Sequence, residues 1–312
     1  MDTAFPTVGI VGSGAIGIYF GARLGSAGAG VRFLMRADLA AVKARGSVIL
    51  REKGGVLELR PALAFGSPGE VGKVDLAIVA LKTTSSADTA GLVGPLLGPR
   101  TLILTLQNGL GADEFLAGLF GADRIAGGLV FMACMRTGPG EVRGFSPPVI
   151  SVGRFAGPPG GRILELAGQL RASGMAITVV ENLLEARWRK LVWNIPFNGL
   201  SVAEGLTTDR ICADPALAEE ARALMREIRL AARAFGFEIP DEFLKAQFDA
   251  TPPMGPYQPS SLVDFLAGRE VEVEAIWGEP LRRARAAGVD MPRLAALYAR
   301  LRARCPRPPA IP

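Results

Sequence analysis

Thr7-Val8-Gly9-Ile10-Val11-Gly12-Ser13-Gly14-Ala15-Ile16-Gly17 is the stretch on which the fold turns. Thr7 to Val11 predicts a short buried strand, and the chain from Ala15 onward predicts a helix. Between them Gly12, Gly14 and Gly17 stand in G-x-G-x-x-G spacing. In such a loop the first glycine permits the tight turn, the second lets a pyrophosphate approach the backbone, and the third lets helix and strand pack closely. Free N–H groups at the helix start, at the positive end of its dipole, would face the phosphates. Spacing alone would suit a glycine-rich turn in any α/β protein. The strand before it, the helix after it and its position at the head of the chain favour a dinucleotide site. Gly12, Ser13, Gly14, Ala15, Ile16 and Gly17 would build that site as the first β-turn-α of a doubly wound sheet.

The next segment chooses between dinucleotides. After a helix from Ile16 to about Ala27, Val31 to Met35 predicts the second strand, and Arg36 follows it, 19 residues after Gly17. A site for NAD usually carries Asp or Glu here to accept from the ribose 2′-OH. A guanidinium instead matches a 2′-phosphate in charge and fork geometry, which favours NADP. An ordinary surface arginine is the competing explanation, and Asp38, two residues on, offers a carboxylate that an NAD site could use.

Farther along, Ala40 to Arg45 predicts a short helix, and Val48–Leu50 with Val56–Leu59 a hairpin around Gly54-Gly55. Val74 to Leu81 and Thr101 to Leu106 are continuous apolar runs of the kind found in buried parallel strands. The first ends in Lys82 and the second in Gln107-Asn108-Gly109, at the carboxyl ends where open α/β sheets bind ligands. Lys82 also suits an ordinary strand terminus, and Asn108 suits a turn, since Asn tolerates positive φ. Shorter β-like pieces at Ile125–Ala133, Val149–Gly153 and Ala176–Val180, with a helix at Arg162–Ala172, read as an extension of the sheet.

Beyond Asn182 the periodicity is helical: Leu183–Leu200, Pro215–Phe235, Asp241–Phe248, Ser260–Ala267, Val271–Ala287 and Arg293–Arg304. The expectation is therefore an α/β, doubly wound, mostly parallel domain over residues 1–180 and an all-α domain over 181–304. A Pro-rich tail over 305–312 completes the chain.

Composition narrows the chemistry. With 49% hydrophobic and 21% charged residues, the 312-residue chain has the balance of a globular protein. A net charge of +5 without a dense Lys/Arg block suits anionic small molecules rather than nucleic acid. Cys134, Cys212 and Cys305 share no metal or redox spacing, and there is no histidine. That excludes a Ser-His-Asp triad, a histidine zinc site and a histidine proton donor. No metal is expected. Met1-Asp2-Thr3-Ala4 lacks a signal-like n-region and no apolar run reaches membrane length, so a cytoplasmic protein with no membrane partner is expected.

The proton donor must then be another side chain. In Arg187-Trp188-Arg189-Lys190-Leu191-Val192-Trp193-Asn194-Ile195-Pro196-Phe197-Asn198, Lys190, Asn194 and Asn198 fall at i, i+4 and i+8. They share one helical stripe with a drift of about 80°. A solvated face is the usual explanation, although Asn is a poor helix former, and Pro196 would loosen or kink the helix. Near the chain's end, Ser260 fits an N-cap, and Glu270, Glu272 and Glu274 stand at a helix start where carboxylates favour the dipole.

Taken together, these motifs resemble the ketopantoate reductases (2-dehydropantoate 2-reductases) over nearly the whole chain. The glycine loop, Leu81-Lys82, Gln107-Asn108-Gly109, Trp188-Arg189-Lys190-Leu191 with Asn194 and Asn198, and Ser260…Asp264…Gly268-Arg269…Glu272 occur in family order. The resemblance implies an NADP-binding Rossmann domain followed by a helical domain. It implies NADPH-dependent reduction of a 2-oxo acid, foremost 2-dehydropantoate to (R)-pantoate in pantothenate biosynthesis. Lys190 matches the catalytic lysine and Glu272 the family's glutamate. Ser260, Asn194, Asn198 and Asn108 match substrate-side positions, Asn108 also bordering the cofactor, and Arg36 and Lys82 match the 2′-phosphate side. Trp277-Gly278 stands where the family has Asn-Gly, and Tyr257 where some members use an amide. These departures leave open a paralogue acting on a different 2-oxo or 3-oxo acid, and a non-catalytic NADP-binding sensor is the remaining alternative. A homodimer is compatible with the resemblance, the sequence leaving the oligomeric state open.

Overall fold

The computed structural model describes residues 4–305, residues 85–87 by their backbone alone. Of the Pro-rich tail expected over 305–312 only Cys305 is described; the rest of it and the first three residues lie outside the described residues.

Among the described residues twelve strands form two sheets. They are β1 Thr7–Val11, β2 Gly30–Leu34, β3 Val48–Glu52, β4 Gly55–Leu59, β5 Leu63–Phe65 and β6 Val74–Val79, followed by β7 Leu97–Thr105, β8 Ile125–Phe131, β9 Cys134–Gly138, β10 Glu141–Gly144, β11 Val149–Arg154 and β12 Ala176–Val179. The larger sheet has eight strands in the order β12-β11-β8-β7-β6-β1-β2-β5. Neighbours from β8 to β5 are parallel, while β11 pairs antiparallel with β8 and parallel with β12. From β1 the chain moves outward to β2 and β5, then returns past β1 to β6 and β7. Order reverses at β1, which makes its carboxyl end a topological switch point. Val8, Ile10 and Val11 of β1 and Leu76, Ala77, Ile78 and Val79 of β6 are fully buried, as continuous apolar strands covered on both faces should be.

The doubly wound, mostly parallel sheet is the one expected, with corrections at its margins. The expected strand ending in Lys82 stops at Val79, so Lys82 sits three residues into the connection. The strand expected over Ile125–Ala133 ends at Phe131. Residues 134–144 do not extend the main sheet: β9 and β10 join the expected β3–β4 hairpin in a four-stranded sheet ordered β4-β3-β10-β9. Short strands of mixed exposure such as Cys134-Met135-Arg136-Thr137-Gly138 carry no apolar run, and the pairing of β10 with β3 spans about 90 residues of chain.

The chain divides into two compact units, one running to Gln107 and resuming at Ala112–Leu183, the other formed by Asn108–Gly111 and the chain from Leu184 onward. Helices alone supply the second unit's regular structure among the described residues. Its core is apolar around the fully buried Trp188 and Trp277. Pro215–Ala234, Asp241–Asp249, Ser260–Leu266 and Pro292–Arg304 form where periodicity predicts them, and Thr208–Ala213 is an additional short helix. Among the described residues no helix is long and apolar enough to cross a membrane.

Two predicted helices are interrupted in the same manner. The helix from Leu183 runs to Trp193, gives way to a π-turn over Asn194–Asn198 and resumes as Gly199–Glu204. Pro196 accounts for this: it has no N–H for the i−4 carbonyl and its ring crowds that carbonyl. A wider turn relieves both problems. The helix expected over Val271–Ala287 begins instead with a π-turn at Glu274–Gly278 and continues as Glu279–Ala286. The two π-turns are joined, because the Trp277 indole Nε1 donates to the Ile195 carbonyl at 3.0 Å. They also approach closely, for a Cβ on Gly199 would lie 2.7 Å from that same Nε1.

Candidate active site

Lys190, Asn194 and Asn198 do not form a solvated face. Their relative exposures are 7%, 6% and 2%. The π-turn explains how residues at i, i+4 and i+8 can share one direction: i→i+5 bonding carries each residue through less than the α-helical 100°, which cuts the expected drift. Such π-bulges recur at functional sites.

Lys190 donates from Nζ to Asn108 Oδ1 at 2.8 Å. Burial pushes its ammonium from the ordinary lysine range down to about 7; the Arg187 guanidinium adds to the fall and the Glu272 carboxylate opposes it. Arg187 is 3% exposed, one turn before Lys190 on the same helix. It went unassigned in the sequence, where a basic residue three positions from a candidate lysine was the available signal. Glu272 is 5% exposed. Glu274 has a different task, accepting from Tyr298 Oη at 2.7 Å and pairing with Arg282 at 2.8 Å. Glu272 does stand at that helix start, its carbonyl accepting from Ile276 N at 3.2 Å, but unlike Glu270 and Glu274 it is buried.

Asn108 is also not the positive-φ residue of its turn. No residue other than glycine has positive φ among those described, and Gly109 takes that role at +82°. Its backbone lies against the second π-turn so closely that a Cβ would fall 2.1 Å from the Ala275 carbonyl oxygen. Leu110 N donates to that oxygen at 2.9 Å. The Asn-Gly turn is therefore seated on the segment that follows Glu272, and Asn108 is left with its amide oxygen on Lys190.

Asn198 and Ser260 meet as well. Asn198 Oδ1 accepts from Ser261 N at 3.1 Å, with Ser260 Oγ at 3.5 Å. Ser260 is not the N-cap predicted; Pro259 holds that position, and Asn198 caps the helix Ser260–Leu266 from a neighbouring element. Ser260 itself is exposed. Asn194 is different: no side-chain hydrogen bond joins it to any described residue, though it is more than nine-tenths buried. Its amide atoms are not among the fully buried polar atoms left without a partner, so what remains accessible of Asn194 is its polar end. Beside this group Trp193 Nε1 donates to Thr251 Oγ1 at 3.0 Å, and its ring lies 6.2 Å from that of Tyr257.

In the first unit the glycine loop satisfies each of its three requirements separately. Gly12 has φ +101°, and a Cβ there would lie 2.6 Å from the Leu81 nitrogen and the Ala80 carbonyl carbon. At Gly17 a Cβ would fall 2.0 Å from the Gly12 oxygen. Around Gly14 the space is open, with nothing within 4 Å of a Cβ. Ser13 Oγ donates to the Leu34 carbonyl at 2.7 Å, tying the loop to the end of β2. No side chain caps the helix Ala15–Ser26, so its first N–H groups remain for a ligand. An open face over a crowded glycine turn and an uncapped helix start fit a pyrophosphate.

Arg36 is exposed after β2 and has no acid partner among the described residues. Asp38 is buried and fully engaged: Arg136 Nη2 lies 2.6 and 2.7 Å from its two oxygens, and Gly140 N donates to Oδ2 at 2.9 Å. Of the two candidate readers of the ribose, the guanidinium is the one left available. Lys82 is half-buried and already engaged.

Two family descriptions match the chain, "Ketopantoate reductase PanE/ApbA" over residues 8–157 and its C-terminal counterpart over residues 182–304. The chain belongs to the ketopantoate reductase family. A 2-dehydropantoate 2-reductase of Nostoc sp. is 36% identical over 94% of this chain and 93% of its own length. The crystal structure of 2-dehydropantoate 2-reductase from Geobacter metallireducens has a TM-score of 0.93 at 38% identity, covering 95% of this chain and 99% of that one. The enzyme of the same name from Methylococcus capsulatus has a TM-score of 0.88 at 33% identity, covering 97% and 99%. As a member of this ketopantoate reductase family, the chain is an oxidoreductase with a small-molecule substrate.

Proposed function

We propose that this protein reduces 2-dehydropantoate to (R)-pantoate with NADPH. The observation that carries the proposal is the buried Lys190, held by Asn108 and depressed to about 7. A proton donor is most effective when its pKa lies near the working pH, and burial has brought this lysine there. Bound NADPH supplies the hydride. As the carbonyl becomes an alkoxide, the Lys190 ammonium stabilises the growing negative charge and delivers the proton. Glu272 keeps the lysine charged enough to act, opposing both burial and Arg187. The Asn194 amide is the group available to orient the substrate, and Ser260 is assigned to its carboxylate. Asn198 acts through Ser260 by fixing the start of that helix.

In this reading the first unit is the NADP-binding domain. Gly12 to Gly17 hold the pyrophosphate, and Arg36 with Lys82 reads the 2′-phosphate. The second unit is the catalytic and substrate domain.

The test is NADPH oxidation followed at 340 nm with 2-dehydropantoate, with NADH in parallel and a panel of other 2-oxo and 3-oxo acids. Rapid, NADPH-selective turnover of 2-dehydropantoate is expected. Turnover confined to another oxo acid would replace the substrate assignment, and tight NADPH binding without turnover of any acid would make the protein a sensor.

A further inference from the structure

Asp38 stands two residues after Arg36, within about 7 Å along the chain, inside one Debye length at physiological salt. A free carboxylate there would repel a 2′-phosphate and would accept from a ribose 2′-OH, the opposite of what Arg36 does. In this protein that carboxylate is withdrawn. It is 6% exposed and receives Arg136 on both oxygens and the Gly140 backbone on one.

The parts that deliver those donors are themselves held in place. Arg136 lies on β9, paired antiparallel with β10, and its side chain is 46% exposed. The turn between the strands is pressed onto the helix Leu39–Arg45, for a Cβ on Gly140 would fall 2.4 Å from Val42. Arg45 ties the same turn down, donating to the Pro139 carbonyl at 2.9 Å and to Glu141 at 3.0 Å.

We propose that Arg136 is a positioning residue for cofactor choice: by sequestering Asp38 it leaves the exposed Arg36 guanidinium without a competing carboxylate two residues away and so secures preference for a 2′-phosphorylated adenosine. The proposal rests on the NADP reading of Arg36.

The experiment measures binding of 2′,5′-ADP and 5′-AMP by calorimetry to the full chain, to Arg136→Met, and to Arg136→Met with Asp38→Asn. The native protein should favour 2′,5′-ADP. Arg136→Met should lower that ratio at least about tenfold while 5′-AMP binds as before or better. Adding Asp38→Asn, which removes the exposed charge and keeps the amide's hydrogen-bonding shape, should restore the ratio. Equal losses for both nucleotides in Arg136→Met would mean a purely structural role and overturn the proposal. Failure of Asp38→Asn to restore the ratio would mean that Arg136 touches the phosphate directly, which also overturns it. A native protein that does not discriminate would overturn the NADP reading itself, a result separable from the other two.

Discussion

The glycine loop at Gly12–Gly17 and the cluster around Lys190 differ in how the chain specifies them. The loop's constraints are mostly local: Gly17 answers the Gly12 carbonyl and Gly14 an open face, while Gly12 answers its own turn and the Ala80–Leu81 backbone beside it. The lysine cluster gathers Asn108, Lys190 and Glu272, residues about 80 positions apart at each step, around two π-turns. A site of the first kind is encoded in spacing. One of the second kind is encoded in packing, and its chemistry comes from burial rather than from residue order.

The largest effect should come from breaking the second site at its centre. Lys190→Ala is expected to lower kcat by about 10²–10⁴, the usual worth of a positioned proton donor, while NADPH affinity stays nearly intact. Stopped-flow and equilibrium titration of the purified variant would check both halves; unchanged turnover would remove Lys190 from the mechanism.

In the loop, Gly17→Ala and Gly14→Ala should behave oppositely. The first puts a Cβ 2.0 Å from a backbone oxygen and should cost about 3 kcal/mol, the upper end of the usual range for overpacking. The second meets nothing and should leave stability within about 0.5 kcal/mol while weakening NADPH binding. Thermal melts with and without NADPH separate the two effects. Comparable destabilisation by both would contradict the division of labour among the glycines.

The depressed lysine predicts two pH dependences. Reduction needs the ammonium, so its rate should fall about tenfold per pH unit above about 7, whereas oxidation of the alcohol should rise up to that point and level off. Stability follows from linkage. Folded Lys190 releases its proton near 7, whereas in the unfolded chain it does so near the ordinary value of about 10.4. Between those limits the unfolded state binds more protons, so the free energy of unfolding gains a positive slope with pH from this group. Below 7 both states are protonated and the slope vanishes. Urea melts of native protein and Lys190→Met across pH 6–10 would show the difference; identical slopes would contradict the shift.

The smallest change in function is expected at the junction of the π-turns. Trp277→Phe keeps most of the apolar burial and removes the bond to Ile195, so a loss of about 1 kcal/mol is expected, with a modest fall in kcat. A kcat loss as large as that of Lys190→Ala would show that the junction itself sets the lysine's geometry.

Legibility in the sequence followed the same division. Strands β1, β6 and β7 were readable because a strand buried on both faces must be apolar throughout. The small sheet was half readable: β3 and β4 meet through a Gly-Gly turn, but β9 and β10 are short and mixed in polarity, and β10 pairs with β3 far away in the chain. At the candidate site, Lys190 and Glu272 stood out through the resemblance to the family's motifs. Their burial did not, since a polar stripe at helical spacing looks the same whether water or protein covers it. The roles of Asn198 and Asp38 likewise depend on partners 63 and 98 residues away.

By itself the sequence determined the α/β order, the glycine loop and the all-helical second half, because these rest on short-range sterics and on hydrophobic period. Only the tertiary structure decided that Asp38 is closed off while Arg36 is open, and that Lys190 is dry enough to give up its proton near neutrality. Desolvation and long-range pairing set those outcomes, and neither is a property of neighbouring residues.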